Sequence, residues 1–458
     1  MEVTSPENRV DLENGTISRR IFADESIYRK ELEQIFARAW VFVAHESQIP
    51  NPGDFFLSRM GEESVIVARD LQGKVHVLLN TCRHRGMKVC RYDHGNAAAF
   101  TCPYHGWSYS MDGSSGKPPG HLDAVPQFKV AYRDQLDTSK WGLVSVAQLE
   151  IYKGTIWAAW DAAAPPLFDY LGGMKIYLDA LLDGRDGTEG GSEAIAGVMK
   201  WRIGCNWKFG AENFAWDTYH ALTTHRSAEI AGIGPGGEGQ ERHGLLHRNA
   251  AKRYAKGLVC FPDLGHSVIS APPEIGAEAR FPDFPNHPVV AEYFREVEQK
   301  RMQRNKGQVT VTPNNGAIFP NMSFHPWFPR TIVVWHPQGA RATEAWRWFL
   351  VDKSAPAEVK DLLRHYYMRF SGPVGMVESD DMDNWKYATE ASRGVIAQRY
   401  PYHCGMGMGF SEPVAGLPGA VTTGSPFSEE GARVFYRRWS QFMEANDWSS
   451  LAPGRNKP

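Results

Sequence analysis

Two short metal-ligand pairs constrain this chain more than any other feature. Residues 82–107 read CRHRGMKVCRYDHGNAAAFTCPYHGW, with Cys82-x-His84 at one end and Cys102-x-x-His105 near the other. Each pair sets one thiolate and one imidazole on a tight loop. Residues 85–101 are enough for two strands and a turn that bring the loops face to face. Two cysteines and two histidines mixed in this way suit a [2Fe–2S] cluster with Cys₂ on one iron and His₂ on the other. Structural zinc is the competing occupant. Zinc fingers, however, usually pair Cys with Cys and His with His, whereas each loop here carries one of each. Gly86, Pro103 and Gly106 shape the loops so that backbone N–H groups approach the sulfurs, which tunes a cluster's potential.

A cluster of this kind needs reduced thiolates, and composition bounds the protein around it. The 458 residues allow two or three domains. Hydrophobic content of 42% and charged content of 22% describe an ordinary globular chain. A net charge of −2 gives no basis for a nucleic-acid or membrane-surface partner. Cys90, Cys205, Cys260 and Cys404 are scattered, without disulfide-framework spacing. Cys90, between the loops, is expected as a small buried residue. The chain does not open on a basic region followed by an apolar run, and no apolar run approaches a membrane span. The expected location is cytoplasmic.

Asp24 and Glu25, followed by Ile27, Leu32, Ile35 and Phe36 at helical spacing, predict a helix over about 24–38. From 40 to 161 the texture changes to short alternating runs: FFLSRM, SVIVARD, KVHVLLN, AAAFTC and TIWAAWD. Gly and Asp/Asn separate them, so they read as strands of a small all-β domain with the ligand loops on hairpin tips. Asp112-Gly113 is a turn candidate. LFDYLGGMKIYLDALL predicts a helix over about 167–182, followed by the Gly-rich link DGRDGTEGGSE. Helices over 288–303 (opened by Pro288), 356–370 and 428–445 flank the strand runs IFPNMSF, TIVVWHP and EAWRWFLVD. The fold class is α+β: a small all-β domain plus a larger one with an antiparallel sheet flanked by helices. The division is 1–39, an N-terminal helix; 40–161, the cluster domain; and 162–458, the second metal domain. Residues 226–258 include IAGIGPGGEGQERHG, which reads as a lid over a substrate entrance. His243, His247 and His266 are expected as surface or packing histidines.

Residues 206–225, NWKFGAENFAWDTYHALTTH, carry a second ligand set. Asn213, Asp217 and His220 at i, i+4 and i+7 predict one face of a helix ending near Leu222, with His225 just beyond it. Two neutral imidazoles and one carboxylate form the facial triad of non-haem Fe(II) oxygenases, which leaves positions open for O₂ and substrate. Asp217 is better placed to orient His220 than to ligate, so the carboxylate must come from elsewhere. Residues 371–386, SGPVGMVESDDMDNWK, start a new helix after Gly372-Pro373 and supply Glu378, Asp380, Asp381 and Asp383. An acidic helix start is also what the helix dipole favours. With the histidine pair at hand, one of these four is expected as the third ligand.

The CRHRG and CPYHGW strings resemble the Rieske domain of the aromatic ring-hydroxylating oxygenases. N-W-K, E-N-F and D-x-Y-H-x₄-H, then E-x-D-D-x-D-N-W, are similar to the catalytic domain of the large (α) subunit of the Rieske non-haem iron aromatic ring-hydroxylating dioxygenases, the naphthalene, biphenyl and polycyclic aromatic hydrocarbon group. The likeness covers nearly the whole chain. It implies that Cys82, His84, Cys102 and His105 hold the [2Fe–2S] cluster, and that His220, His225 and Asp381 hold the mononuclear iron. Asp217 matches the family's bridging aspartate and Asn213 a polar residue beside the iron. Phe214, Ala221, Leu222, Phe370 and Val377 are candidate pocket walls that core packing would explain equally well. The N-terminal helix resembles one that packs on the catalytic domain.

The resemblance implies a terminal oxygenase that adds both atoms of O₂ to an aromatic ring, giving a cis-dihydrodiol of a polycyclic or similar hydrocarbon. No G-x-G-x-x-G follows a strand, so NADH is expected to act only indirectly, through a separate reductase and a ferredoxin. The family further implies a small β subunit and an α₃β₃ or α₃ head-to-tail ring. In it, Asp217 would link His220 to His105 of a neighbouring chain. The alternatives are a monooxygenase of the same superfamily, such as a salicylate hydroxylase, and an aromatic carboxylate dioxygenase. Few cationic residues lie near the ligands in sequence, which disfavours a carboxylate substrate. A Rieske ferredoxin with an added binding domain would carry no second iron, and the His220/His225/Asp381 set argues against it.

Overall fold

Apolar alternation between Asp54 and Leu79 generates antiparallel pairing: Asp54–Met60 lies against Glu63–Arg69, which pairs onward with Val75–Leu79. The computed structural model describes residues 10–113, 116–195, 197–227, 257–271, 284, 286–305, 312–326 and 330–451. The chain divides into two compact units, Phe36–Ala164 and Met1–Ile35 with Pro165–Pro458.

In the first unit, His94–Asn96 extends the sheet just described. A second sheet orders His121–Ala124, Ser108–Ser110 and Ala99–Thr101, and a third orders Gln148–Tyr152, Thr155–Ala159 and Val41–His45. Cys82 and Cys102 belong to the hydrophobic core that holds these elements together, alongside Phe55, Ile66, Phe100 and Trp107. Burying each such large side chain stabilises by roughly 1.5–3 kcal/mol, so the ligand loops are anchored by packing as well as by turns. Asp112-Gly113 does not make a tight turn. Ser110 pairs with His121 across a long connection, and the Gly113 amide donates instead to Gln72 Oε1 at 3.0 Å.

In the second unit the N-terminal helix is shorter than its apolar spacing predicts. α1 (Glu25–Glu31) starts where Asp24 Oδ1 accepts the Ser26 amide at 2.9 Å. It gives way to one wider π turn, Leu32–Phe36, which leaves both Ile35 and Phe36 buried. α2 (Phe128–Ala131) belongs to the first unit. The helix expected over 167–182 is interrupted at Gly172-Gly173. It becomes α3 (Leu167–Leu171), a 3₁₀ turn and α4 (Lys175–Leu182).

The larger sheet has ten strands among the described residues. Ser192–Ala194 and Met199–Ile203 both pair with Thr343–Asp352. The order then runs through Thr331–Pro337, Met322–His325, Thr312–Ile318, His266–Ala271 and Gly257–Phe261 to two short edge strands, Val421–Thr422 and Glu412–Pro413. Its central strands are buried almost without alternation, because helices cover them. These helices are α5 (Trp207–Trp216), α6 (Pro288–Asn305), α7 (Ala357–Phe370), α8 (Glu378–Ala391) and α9 (Glu430–Glu444). α5 approaches the sheet so closely that a Cβ on Gly210 would sit 2.5 Å from the Trp335 ring. α1 is pinned to α5 and α9 through Glu31, which is fully buried. Its carboxylate accepts from Lys208 Nζ at 2.5 Å, Trp207 Nε1 at 2.8 Å and Trp439 Nε1 at 2.8 Å. No helix of the described residues is long and apolar enough to cross a membrane.

Candidate metal centres

The first ligand set lies on two loops built alike. The Gly86 amide bonds back to the Cys82 carbonyl and the Gly106 amide to the Cys102 carbonyl, both at 2.9 Å. Cys82 and Cys102 are buried. Burial pushes the Cys102 thiol up, and the neighbouring Cys82 adds to the effect. The His84 and His105 ring centroids stand 4.5 Å apart. His84 is stacked on Trp107, with centroids 4.9 Å apart. Its Nδ1 is buried with no hydrogen-bond partner among the described residues. Burial, then His105 and Arg85, lower its pKa. Buried thiols beside an unsatisfied imidazole nitrogen would be costly as a bare cluster of polar groups. They fit a soft, positively charged iron centre.

Sequence reasoning missed one residue here. The buried Tyr109 hydroxyl accepts the Arg83 amide at 3.0 Å and lies 3.2 Å from Cys82 Sγ. Its own proton is thereby free to face that sulfur. The signal was present in the alternation of W-S-Y-S, which sets Trp107 and Tyr109 on one face of a strand.

The second set is built where α5 ends. The helix does not run on to Leu222. It stops at Trp216, because Asp217 leaves helical geometry and its Oδ1 accepts the amides of Tyr219 and His220, both at 3.1 Å. Such local side-chain bonding competes with helix continuation. The Thr218 hydroxyl, bonded to the Pro426 carbonyl at 3.1 Å, fixes the new direction. A 3₁₀ turn, His220–Leu222, then carries the chain to His225. Asn213 stays on α5, buried, with its carbonyl accepting the Asp217 amide at 2.9 Å.

Two nitrogens and a carboxylate oxygen converge. His220 Nε2 and His225 Nε2 are 3.0 Å apart, and Asp381 Oδ1 is 3.3 Å from the first and 3.6 Å from the second. One ligand atom from each residue lies within 4.8 Å of the others. His220 Nδ1 stands 3.1 Å from Asp217 Oδ1. Burial opposes protonation of His220, but the hydrogen bond and charge of Asp217 outweigh it and raise the pKa. Burial lowers His225 to about 4 and raises Asp381 to about 7, the latter partly offset by His220. At 3.0 Å a proton or a cation must lie between the two Nε2 atoms, beside the desolvated carboxylate. The donor set fits a divalent ion with nitrogen and oxygen ligands.

Of the four acids that start α8, only Asp381 reaches the histidines. Asp380 accepts from Ser227 Oγ at 2.9 Å, Asp383 is exposed, and Glu378 is paired with Arg347. Phe214 is half-buried, 6.1 Å from the Trp335 ring centroid. Phe370 and Val377 are half-buried and joined by the Val377 amide to the Phe370 carbonyl at 3.3 Å. Ala221 is half-buried too, while the Leu222 side chain, His243, His247 and residues 228–256 of the expected lid lie outside the described residues. His266 is a packing histidine. It is fully buried, with Nε2 2.9 Å from the Tyr170 carbonyl and Nδ1 accepting the Phe319 amide at 3.1 Å.

Fold and site together define an oxygenase with an iron–sulfur electron inlet. Residues 39–129 match the Rieske [2Fe-2S] domain, and residues 192–445 match the ring hydroxylating alpha subunit (catalytic domain). The chain is 38% identical to biphenyl 2,3-dioxygenase subunit alpha of Rhodococcus jostii (strain RHA1), over 96% of this chain and 92% of that one. It is 36% identical to benzene 1,2-dioxygenase subunit alpha of Pseudomonas putida, over 98% and 96%. The structure of naphthalene 1,2-dioxygenase from Rhodococcus sp. bound to indole superposes with a TM-score of 0.78 at 33% identity, covering 96% of this chain and 99% of that one. The chain belongs to the family of aromatic ring-hydroxylating dioxygenase α subunits. Its cofactors are a Rieske [2Fe–2S] cluster and a mononuclear iron, and α subunits of this family work with a reductase or ferredoxin.

Proposed function

We propose that His220, His225 and Asp381 hold the mononuclear Fe(II), that Cys82, His84, Cys102 and His105 hold the cluster, and that the enzyme converts an aromatic hydrocarbon to a cis-dihydrodiol. The observation that carries this reading is the convergence of the two histidines and Asp381 from distant segments of the chain. When bound, the two iron centres supply electron storage and O₂ activation.

The chain's own residues orient and desolvate. Asp217 Oδ1, 3.1 Å from His220 Nδ1, sets a negative charge beside that nitrogen and favours the proton there, which leaves Nε2 to face Asp381. Asp381 and His225 are desolvated, which strengthens every charge interaction inside the site. Asn213, buried on α5 one turn before Asp217, is the polar residue assigned beside the iron. The half-buried Phe214, Ala221, Phe370 and Val377 are the apolar side chains offered to a flat ring, while the Leu222 side chain lies outside the described residues. The relatives are named for biphenyl, benzene and naphthalene. Arg347, whose guanidinium lies 5.7 Å from the Phe214 ring centroid, is neutralised by Glu378 and offers no spare charge to an aromatic carboxylate.

Residues 40–161 act as the electron inlet and 162–458 as the catalytic domain, with α1 packed on the latter through Glu31. In the cytoplasm, where thiolates stay reduced, NADH would feed a reductase and a ferredoxin. The assembly is α₃β₃, or α₃, with Asp217 of one chain accepting a hydrogen bond from His105 of the next and so joining the two centres.

Turnover with a general reductase/ferredoxin pair on naphthalene, phenanthrene, pyrene, biphenyl and salicylate tests this reading. Dihydrodiols from the hydrocarbons are expected. Hydroxylation of salicylate alone would favour the monooxygenase alternative.

A further inference from the structure

Arg347 lies on the strand Thr343–Asp352, between neighbours on both sides, where it registers with Val333 and Met199. A guanidinium only 3% exposed in mid-sheet is costly unless it is paired, and here both terminal nitrogens are engaged while Nε has no partner among the described residues. Its Nη2 donates to Glu378 Oε1, and its Nη1 to Thr331 Oγ1 at 3.1 Å and Ser371 Oγ at 3.4 Å. Glu378, itself buried, uses its other oxygen to accept the Gly372 amide. Gly372 has φ +85°, and a Cβ there would collide with Met199 Sδ, so the backbone at this contact has one residue that suits it.

Glu378 is one helical turn ahead of Asp381 on α8. Both face inward, at 5% and 7% exposure. α8 has no side-chain cap at Val377, so its first turn lacks the usual N-cap anchor. The Glu378 contacts with Arg347 and Gly372 take that place. We propose that the buried Arg347–Glu378 pair is a positioning device for the iron-binding carboxylate, fixing the first turn of α8 so that Asp381 Oδ1 meets the two histidine nitrogens. This rests on the reading that Asp381 is a ligand.

The test is the ferrous-iron affinity of the cluster-loaded full chain, read by competition with a ferrous chelator, with the visible spectrum of the cluster counting folded protein. Arg347→Met and the near-isosteric Glu378→Gln are each expected to loosen the iron by about tenfold or more, the size typical of lost outer-shell support. The cluster spectrum should be unchanged. The double variant Arg347→Met/Glu378→Gln, which lacks the same pair, is expected to loosen the iron no further than the weaker-binding single variant, because the two residues act as one unit. Independent contributions would add instead. Asp381→Ala is the control. If it loses iron while both single variants bind as wild type does, the positioning inference fails and the ligand assignment stands. If Asp381→Ala keeps its iron, the assignment fails and the inference falls with it. A double variant whose loosening is the product of the two single effects also overturns the inference. Where Arg347→Met does not fold, Glu378→Gln against wild type decides: tenfold loosening supports the pair, and unchanged affinity overturns it.

Discussion

At the residue scale, Asp217 does three things with one carboxylate. It ends α5, accepts two amides and stands against His220 Nδ1. The last contact is separable from metal binding, because Asp217 is not in the converging set. Asp217→Ala is therefore expected to keep iron and cluster but to form no product, measured by metal content, cluster spectrum and product yield on one preparation. Normal turnover would remove Asp217 from the electron route. Residue identities were legible where chemistry restricts them. Thiolates and imidazoles at fixed short spacings leave few alternatives, so both histidine pairs stood out. The choice of Asp381 among four nearby acids was not legible from spacing. It depends on which face of α8 meets residues 220–227, and contacts such as Asn384 Nδ2 to Thr224 Oγ1 at 3.0 Å set that face. Tyr109, Arg347 and Glu378 were invisible as a set because their partners are remote in sequence.

At the element scale, helix periodicity identified the right segments and erred at their ends. α5 stops short because a side chain outcompetes the next helical hydrogen bond, which a hydrophobic pattern does not encode. The same helix carries Glu212, half-buried, with Oε2 accepting from Trp216 Nε1 at 3.1 Å. Burial, with the like charges of Asp217 and Glu429, pushes it from its ordinary 4.5 up to about 8. A carboxyl raised on folding contributes stability that is fully present below about pH 4.5 and is lost as pH rises through about 8. Glu212→Gln is neutral throughout and keeps an acceptor for Trp216. Its melting temperature relative to the unsubstituted protein should thus rise between pH 5.5 and pH 9. A difference constant over that range would show that Glu212 is ionised in the folded protein at neutral pH.

At the scale of the whole molecule, the chain joins a β-rich unit bearing one set of metal ligands to an α+β unit bearing another. The class change from alternating strands to helices and long strands was readable from texture, because each unit buries its own core. The strand order of the ten-stranded sheet was not, since pairing between remote strands leaves no local trace. Combining an electron inlet with an oxygen site in one chain makes the fate of both oxygen atoms the decisive observable. The measurement is turnover of biphenyl or naphthalene under ¹⁸O₂ with reductase and ferredoxin, and mass analysis of the product. A cis-dihydrodiol carrying two ¹⁸O atoms on adjacent carbons is expected. A product with one labelled oxygen, the second atom having gone to water, would contradict that expectation.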